Sequence, residues 1–264
     1  MNESIFQEIE KCAKAVSIDL PADELSEFAD DQQLDAAQLE AIHEVFQYLE
    51  QRSWNIKVAT LLRLSRLPKK IPKTFDNFDF TQLHGREINK LKNLPTLSYL
   101  FRRKNLAFIG PQGVGKTHLA MAYGHACCMQ GYKAYFIKAT ELNQKLTQAR
   151  KYGRTGSVIN GLVKPTCLII DEMGRCVFDQ ENTRLFFDVI DRRYSKDGPN
   201  TTIFTSNKTP DQWREDFRDD DSLLCSLDRA FDEAIVFMIK GDSYRGRTLE
   251  KVALHAGKQK SVES

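Results

Sequence analysis

The 264-residue sequence predicts an α/β protein: a parallel sheet in a three-layer α/β/α arrangement, preceded by a small helical N-terminal region. Three observations point there. From residue 105 onward, five short apolar runs, "NLAFI", "KAYFIK", "TCLIID", "TTIFTSN" and "AIVFMI", alternate with helical stretches. Runs of that length without strict alternation suit strands buried on both faces of a parallel sheet. The first run is followed by a glycine-rich turn, "GPQGVGK", and then by the helical "HLAMAYGHACCM". Before about residue 70 no such runs occur, and apolar and polar residues mix at three- and four-residue intervals.

In chain order, Ser4 to Leu49 reads as helical, with a break at Leu20-Pro21. "DLPADELSEFADD" reads as a turn and a short capped helix. "DAAQLEAIHEVFQYLEQRSWNIKVATLLRLSRLP" then reads as one long helix, or two in sequence, ending near Pro68. "KKIPKTFDNFDF", with one proline and three phenylalanines, reads as an extended linker. The domain boundary is therefore expected near residue 70, with a helical region over 1–69, an α/β domain over 70–255 and a disordered tail over 256–264. Nothing repeats internally. No run approaches the roughly 18 apolar residues of a membrane span, and "MNESIFQEIEKC" lacks the basic start and apolar stretch of a secretory signal. Six cysteines without a CxxC pair read as buried, reduced thiols rather than a zinc site. A cytoplasmic location is expected.

The net charge of +2 conceals an asymmetry. Residues 1–50 carry two basic against thirteen acidic residues, a net of −11, whereas residues 51–104 carry thirteen basic and three acidic, a net of +10. An acidic arm joined to a basic segment suits a polyanion or an acidic partner for the latter. Pairing of the two halves with each other suits the same numbers.

Gly110-Pro111-Gln112-Gly113-Val114-Gly115-Lys116-Thr117 fits G-x-x-x-x-G-K-[ST] without a mismatch, between a strand and a helix as that pattern requires. Glycines turn backbone N–H groups onto phosphate oxygens, and the helix N-terminus adds a favourable dipole. Lys116 is placed at the β- and γ-phosphates, Thr117 on Mg²⁺, and His118 completes the binding segment. About fifty residues on, "CLIIDEMG" brings Asp171 and Glu172 to the C-terminal end of a buried strand, where ligands of open α/β sheets bind. Asp171 is suited to hold Mg²⁺ through water, and Glu172 to polarise an attacking water. Strand-end carboxylates that cap the next helix are the plainer reading, but beside a phosphate loop the pair favours hydrolysis. "TTIFTSN" ends in Asn207, which suits a contact to the γ-phosphate or the attacking water, or simply the turn before Pro210. A guanine-reading Asn-Lys-x-Asp is missed by one place, since Asp211 follows Asn207-Lys208-Thr209-Pro210. Adenine is favoured. Arg229 before the last run and Arg245 after it are candidates to reach a phosphate, one of them in a neighbouring subunit, or to form surface ion pairs.

The segments "PKTFDNFDF", the phosphate loop, "CLIIDEMG", "TTIFTSNKTPDQW" and "LDRAFDEAIVFMIKGDSYRGR", in this order and over about residues 60 to 250, resemble the IstB/DnaC-like AAA+ ATPases. These comprise the helper ATPases of IS21-type transposons and the related bacterial helicase loaders. The resemblance implies an AAA+ core with ATP and Mg²⁺ bound between subunits of a homo-oligomeric ring or spiral. It further implies Asn207 as a sensor asparagine, Arg229 as a finger acting in trans and Arg245 as a second sensor arginine. The acidic first fifty residues match no family N-terminal domain residue by residue.

Two stretches suit DNA. "RSWNIKVATLLRLSRLPKK" sets Arg52, Lys57, Arg63 and Arg66, with Lys69 and Lys70, on a helix-like segment with a tryptophan. "KLTQARKYGRTGS" sets Lys145, Arg150, Lys151 and Arg154 around Tyr152. Basic residues around an aromatic suit phosphate contact with base stacking, although a solvated face would look the same. No helix-turn-helix or zinc module is present, so DNA recognition is expected to be largely sequence-independent.

The expected function is a DNA-dependent, oligomeric ATPase that recruits or regulates a transposase. A replicative helicase as the partner is the alternative. A nucleotide-gated DNA-binding scaffold with little turnover is a rival of another class, and a small-molecule kinase a weaker one.

Overall fold

The structure is a computed structural model and describes residues 4–83, 85, 87–218 and 234–241. It opens with three helices, α1 (Ile5–Ala15), α2 (Ala22–Asp31) and α3 (Ala36–Leu64). Ser4 with Gln7, and Asp35 with Gln38, close capping boxes at the starts of α1 and α3, each side chain bonding the other residue's backbone N–H. The long apolar-periodic stretch is one helix of 29 residues, not two. The expected side-chain cap on α2 is absent. Its N-cap is Pro21, which has nothing to offer, and the Ala22 N–H is met instead by Glu10 Oε2 at 3.2 Å, from α1. α1 lies along α3 and buries Ile9, Cys12 and Ala13.

The last turns of α3 dock on the α/β unit. Leu61 and Leu62 join its core, and the Phe136 N–H donates to Ser65 O at 2.8 Å. Trp54, further back on α3, packs on Gly131, where an added Cβ would lie 2.8 Å from the indole. The linker then leads through the short helices α4 (Ile88–Lys92) and α5 (Ser98–Phe101) into the sheet.

All five apolar runs are strands: β1 (Leu106–Ile109), β2 (Ala134–Lys138), β3 (Cys167–Met173), β4 (Thr201–Ser206) and β5 (Ile235–Met238). They pair in parallel in the order β2-β3-β4-β1-β5. The helices between them are α6 (Lys116–Met129), α7 (Ala139–Lys151), α8 (Thr155–Val163) and α9 (Gln180–Ser195). Alternate strand residues feed two cores: Leu106 and Phe108 pack with α6, whereas Ala107 and Ile109 pack with α7, α8 and α9. β4 is buried along its whole length. β5 departs from the both-faces expectation, with Val236 and Met238 exposed, because among the described residues it is the last strand in the order and its Phe237 face is the covered one, stacked on Phe108.

Arg193 of α9 ties the entries of two strands. It is 1% exposed and donates to Pro165 O (2.7 Å) and Thr201 O (2.6 Å), and burial lowers its pKa to about 10. Cys12, Cys127, Cys128, Cys167 and Cys176 are free thiols; Cys225 and the 256–264 tail lie outside the described residues. No helix among the described residues is long and apolar enough to cross a membrane.

Candidate functional site

The phosphate loop spans the turn from β1 to α6, and two of its glycines are demanded by their surroundings. A Cβ on Gly110 would lie 2.0 Å from Ile239 O, and one on Gly115, at φ +92°, would lie 2.7 Å from the Phe78 ring. The second contact gives the linker a purpose. "TFDNF" runs over the loop: His118 Nε2 bonds Thr74 O at 3.0 Å and Asn77 Oδ1 at 2.8 Å, and Phe78 meets the His118 imidazole edge-on. Burial lowers the His118 pKa, so the ring is neutral at pH 7.

Lys116 is 8% exposed, and its ammonium donates to Gly110 O (2.8 Å), Pro111 O (2.6 Å) and Asn207 Oδ1 (2.9 Å). Asn207 thus stands beside the loop lysine, at the end of β4 where the sequence placed it. The turn that carries it is fixed from below: buried Trp213 donates its indole N–H to Ser206 Oγ at 3.0 Å and to Lys208 O at 3.2 Å. Gln112, Gly113, Lys116, Thr117, Glu172 and Asn207 line one cleft of about 270 Å³ with the turn after β3.

Asp171 is 2% exposed. One oxygen, Oδ1, accepts from Thr117 Oγ1 at 2.7 Å and from Thr205 Oγ1 at 2.5 Å. Thr205 Oγ1 in turn accepts the Glu172 N–H at 3.0 Å. The register between β3 and β4 shifts between Ile170 and Met173, and Glu172 takes φ +61°. A non-glycine residue there is uncommon. A strand irregularity re-aims a side chain, and here Asp171 stays buried against Thr117 while Glu172 is half-buried and turns to the cleft. Two cations flank its carboxylate, Lys138 Nζ at 3.5 Å and Arg175 Nη2 at 3.6 Å.

The profile of the IstB-like ATP binding protein family matches residues 13–252. The chain belongs to that family. It is 41% identical over 203 residues to a protein of Geobacillus stearothermophilus named for ATP binding in insertion sequence IS5376, covering 77% of this chain and 78% of that one. Among solved structures it resembles AMPPCP-bound DnaA from Aquifex aeolicus (TM-score 0.54, 22% identity, 67% of this chain and 52% of that chain). It also resembles the DnaC helicase loader (TM-score 0.50, 20% identity, 62% and 97%). The chain spans about half the length of the DnaA structure, and at these identities the likeness is one of fold, the AAA+ phosphate-loop fold.

For this IstB-like chain, Gly110–His118, Asp171, Glu172 and Asn207 converge on one end of the sheet. Arg229 and Arg245 lie outside the described residues. Sequence reasoning missed Thr205, Lys138 and Arg175. Thr205 had a visible signal, a hydroxyl two residues before Asn207 on a strand adjoining "CLIIDE". The Glu172 cations had none, because the kink that turns the carboxylate toward them is a register effect.

The DNA candidates fall differently. Arg66 and Lys145, from separate stretches, meet at Tyr135. Lys145 Nζ donates to its hydroxyl at 3.0 Å, and the Arg66 guanidinium lies over the ring at 5.9 Å while pairing with Glu141 at 2.7 Å. Burial alone would raise the Tyr135 pKa, but the two cations outweigh it and lower it. Arg150 is exposed and held at the start of α9, donating to both Asp179 oxygens at 2.8 and 2.9 Å and to Asn182 Oδ1 at 3.1 Å. Lys151, Tyr152 and Arg154 are exposed, as are Arg52 and Arg63. Lys57 sits over Trp54 at 5.0 Å.

Proposed function

We propose that this IstB-like protein is a Mg²⁺-dependent ATPase that assembles on DNA as a homo-oligomer in the cytoplasm and regulates a transposase. The observation that carries hydrolysis over mere holding is the kink at Glu172, which brings a second carboxylate to the cleft beside Asp171 and Thr117. A site that only holds a nucleotide has no use for a base there. Thr117 Oγ1 and the Asp171 carboxylate are hard oxygen donors within 2.7 Å of each other, which fits Mg²⁺, an ion that keeps waters and takes one or two protein oxygens plus phosphates. Held there, the ion would supply positive charge to the phosphates of ATP. Lys116 shifts its ammonium from the Gly110, Pro111 and Asn207 oxygens to phosphate oxygens. Asn207 Nδ2 is then available to orient the γ-phosphate or the attacking water, and Glu172 accepts that water's proton. Arg229 supplies positive charge from a neighbouring subunit, and Arg245 from its own.

Lys138 and Arg175 hold the Glu172 carboxylate at rest. Lys138→Ala is expected to raise turnover without DNA several-fold while leaving ATP affinity within about twofold, as roughly 1 kcal/mol of partly exposed ion pairing is released. A fall in ATP affinity of the same size would make Lys138 a binding residue instead.

Insertion-sequence relatives favour a transposase as partner. The fold likeness to DnaC keeps a helicase partner as the second reading; pull-down by each candidate separates them. DNA contact is assigned to Lys145, Arg150, Lys151 and Arg154 around Tyr152, and to Arg52, Lys57, Arg63 and Arg66. Binding should fall linearly in log–log salt with a slope of about −0.9 per phosphate contact on duplex DNA. Replacing Lys145, Arg150, Lys151 and Arg154 with Ala should flatten that slope and leave ATP affinity largely unchanged. An unchanged slope would move the DNA site to Arg52–Lys70.

A further inference from the structure

β3 carries one residue more than β4 where the two strands reach the cleft. Ile170 pairs with Phe204 and Met173 with Ser206, so Asp171 and Glu172 together stand opposite Thr205. A bulge of this kind takes its extra residue out of the ladder and re-aims a side chain. It also leaves a backbone N–H to be met by something other than the neighbouring backbone, since a buried N–H without a partner is costly.

Thr205 meets it. The residue is 1% exposed, and its Oγ1 accepts the Glu172 N–H at 3.0 Å while donating its own proton to Asp171 Oδ1 at 2.5 Å. A hydroxyl has one proton and two lone pairs, so both bonds can be made at once. Ser206 closes the other side of the bulge. Its Oγ donates to Met173 O at 2.7 Å and accepts the Lys208 N–H at 2.9 Å and the Trp213 indole N–H at 3.0 Å. Two side-chain hydroxyls of β4 therefore stand in for ladder bonds where β3 departs from register.

Strand formation alone does not ask for a hydroxyl at Thr205. β4 is buried along its length, and valine has nearly the shape of threonine, suits a strand and brings no polar atom to satisfy. What the hydroxyl supplies is the placement of Glu172. At φ +61°, Glu172 holds a conformation uncommon for a residue with a side chain, and such conformations persist only where their surroundings over-determine them. The bond to its N–H fixes the peptide that leads into that conformation, and with it the direction in which the carboxylate leaves the strand.

We propose that Thr205 is a positioning residue for ATP hydrolysis, whose hydroxyl holds the bulge that turns the Glu172 carboxylate to the cleft. The role rests on the reading of Glu172 as the base, and Thr205 acts through Glu172 rather than on the nucleotide. A base displaced by about 1 Å costs about 10²-fold in rate. Its displacement costs no more than its removal, about 10²–10⁴-fold.

The test compares Thr205→Val, Thr205→Ser and Glu172→Gln in the full chain, with Mg²⁺ and duplex DNA. Thr205→Val removes both bonds and keeps the shape. It should turn over ATP about 10²-fold more slowly than the wild type, with ATP affinity by calorimetry within about twofold. Thr205→Ser keeps the hydroxyl and should recover most of the rate. Adding Thr205→Val to Glu172→Gln should cost nothing further, because both act through one carboxylate. Hydrogen exchange of the Glu172 amide reads the bond itself: slow in the wild type and in Thr205→Ser, and about tenfold faster or more in Thr205→Val. Thr205→Val at the wild-type rate beside a slow Glu172→Gln overturns the positioning role and leaves the base in place. Glu172→Gln at the wild-type rate overturns the base, and the positioning role falls with it. A Thr205→Val rate restored by raising Mg²⁺ puts the effect at Asp171 and overturns the proposal, as does an equal loss in Thr205→Ser. The exchange measurement on the wild type needs no variant to fold, and a Glu172 amide that exchanges as freely as an exposed loop amide overturns the proposal by itself.

Discussion

Glu172→Gln is expected to bind ATP as the wild type does and to release ADP about 10²–10⁴-fold more slowly, because an amide cannot take the proton of the attacking water. Its shape is nearly that of the carboxylate, and the backbone bond from its N–H to Thr205 Oγ1 is untouched, so the kink and the Asp171–Thr117 contact should persist. Lys116→Ala is the necessary contrast. It removes the ammonium that now bonds three oxygens and that in the complex faces the phosphates, and tight ATP binding should be lost. Binding by calorimetry and turnover by ADP release separate the two. Equal loss of binding in both variants would show that Glu172 helps to hold the nucleotide, not to break it.

Arg229→Ala carries the second large effect. As a finger in a neighbour's site it would stabilise transition-state charge, a role worth about 10³–10⁵ in rate in other phosphate-loop enzymes. The variant should bind ATP almost normally, assemble, and hydrolyse poorly. Mixing it with Lys116→Ala should restore part of the activity that neither shows alone, since one brings an intact loop and the other an intact finger to the mixed interfaces. Arg245→Ala mixed with Lys116→Ala should restore nothing, because Arg245 is assigned to its own subunit. Recovery in the second mixture but not the first would exchange the two roles. No recovery in either, with assembly intact, would remove the trans-acting finger.

The fold was legible in the sequence because its strands are buried on both faces: uninterrupted apolar runs such as "CLII" and "TTIF" leave little room for another reading. Pairing order was not legible, since nothing in the runs says that β1 inserts between β4 and β5. The phosphate loop and Asp171 were legible for a related reason, as their chemistry fixes residue types at fixed spacing. What surrounds Glu172 was not. Lys138 lies 34 residues before it, and the two meet only because β2 and β3 are adjacent and the strand kinks at the right residue. The sequence reads here as an extended linker, yet a phenylalanine whose ring fills the place of a glycine Cβ is a packing relation between Phe78 and Gly115 that neither residue announces. The basic patch read around Tyr152 contained Arg150, whose partner Asp179 caps α9. Charge type alone does not say that an exposed arginine already has a carboxylate partner at a helix start.

On the function proposed here, this site breaks ATP when the protein is on DNA. Steady-state ADP release by the wild type, with Mg²⁺ and with duplex DNA present or absent, measured beside Glu172→Gln, tests it most directly. Turnover should rise with DNA and stay at background in the variant. Wild-type protein that binds ATP and DNA together yet releases ADP no faster than Glu172→Gln would contradict it and leave a nucleotide-gated DNA scaffold.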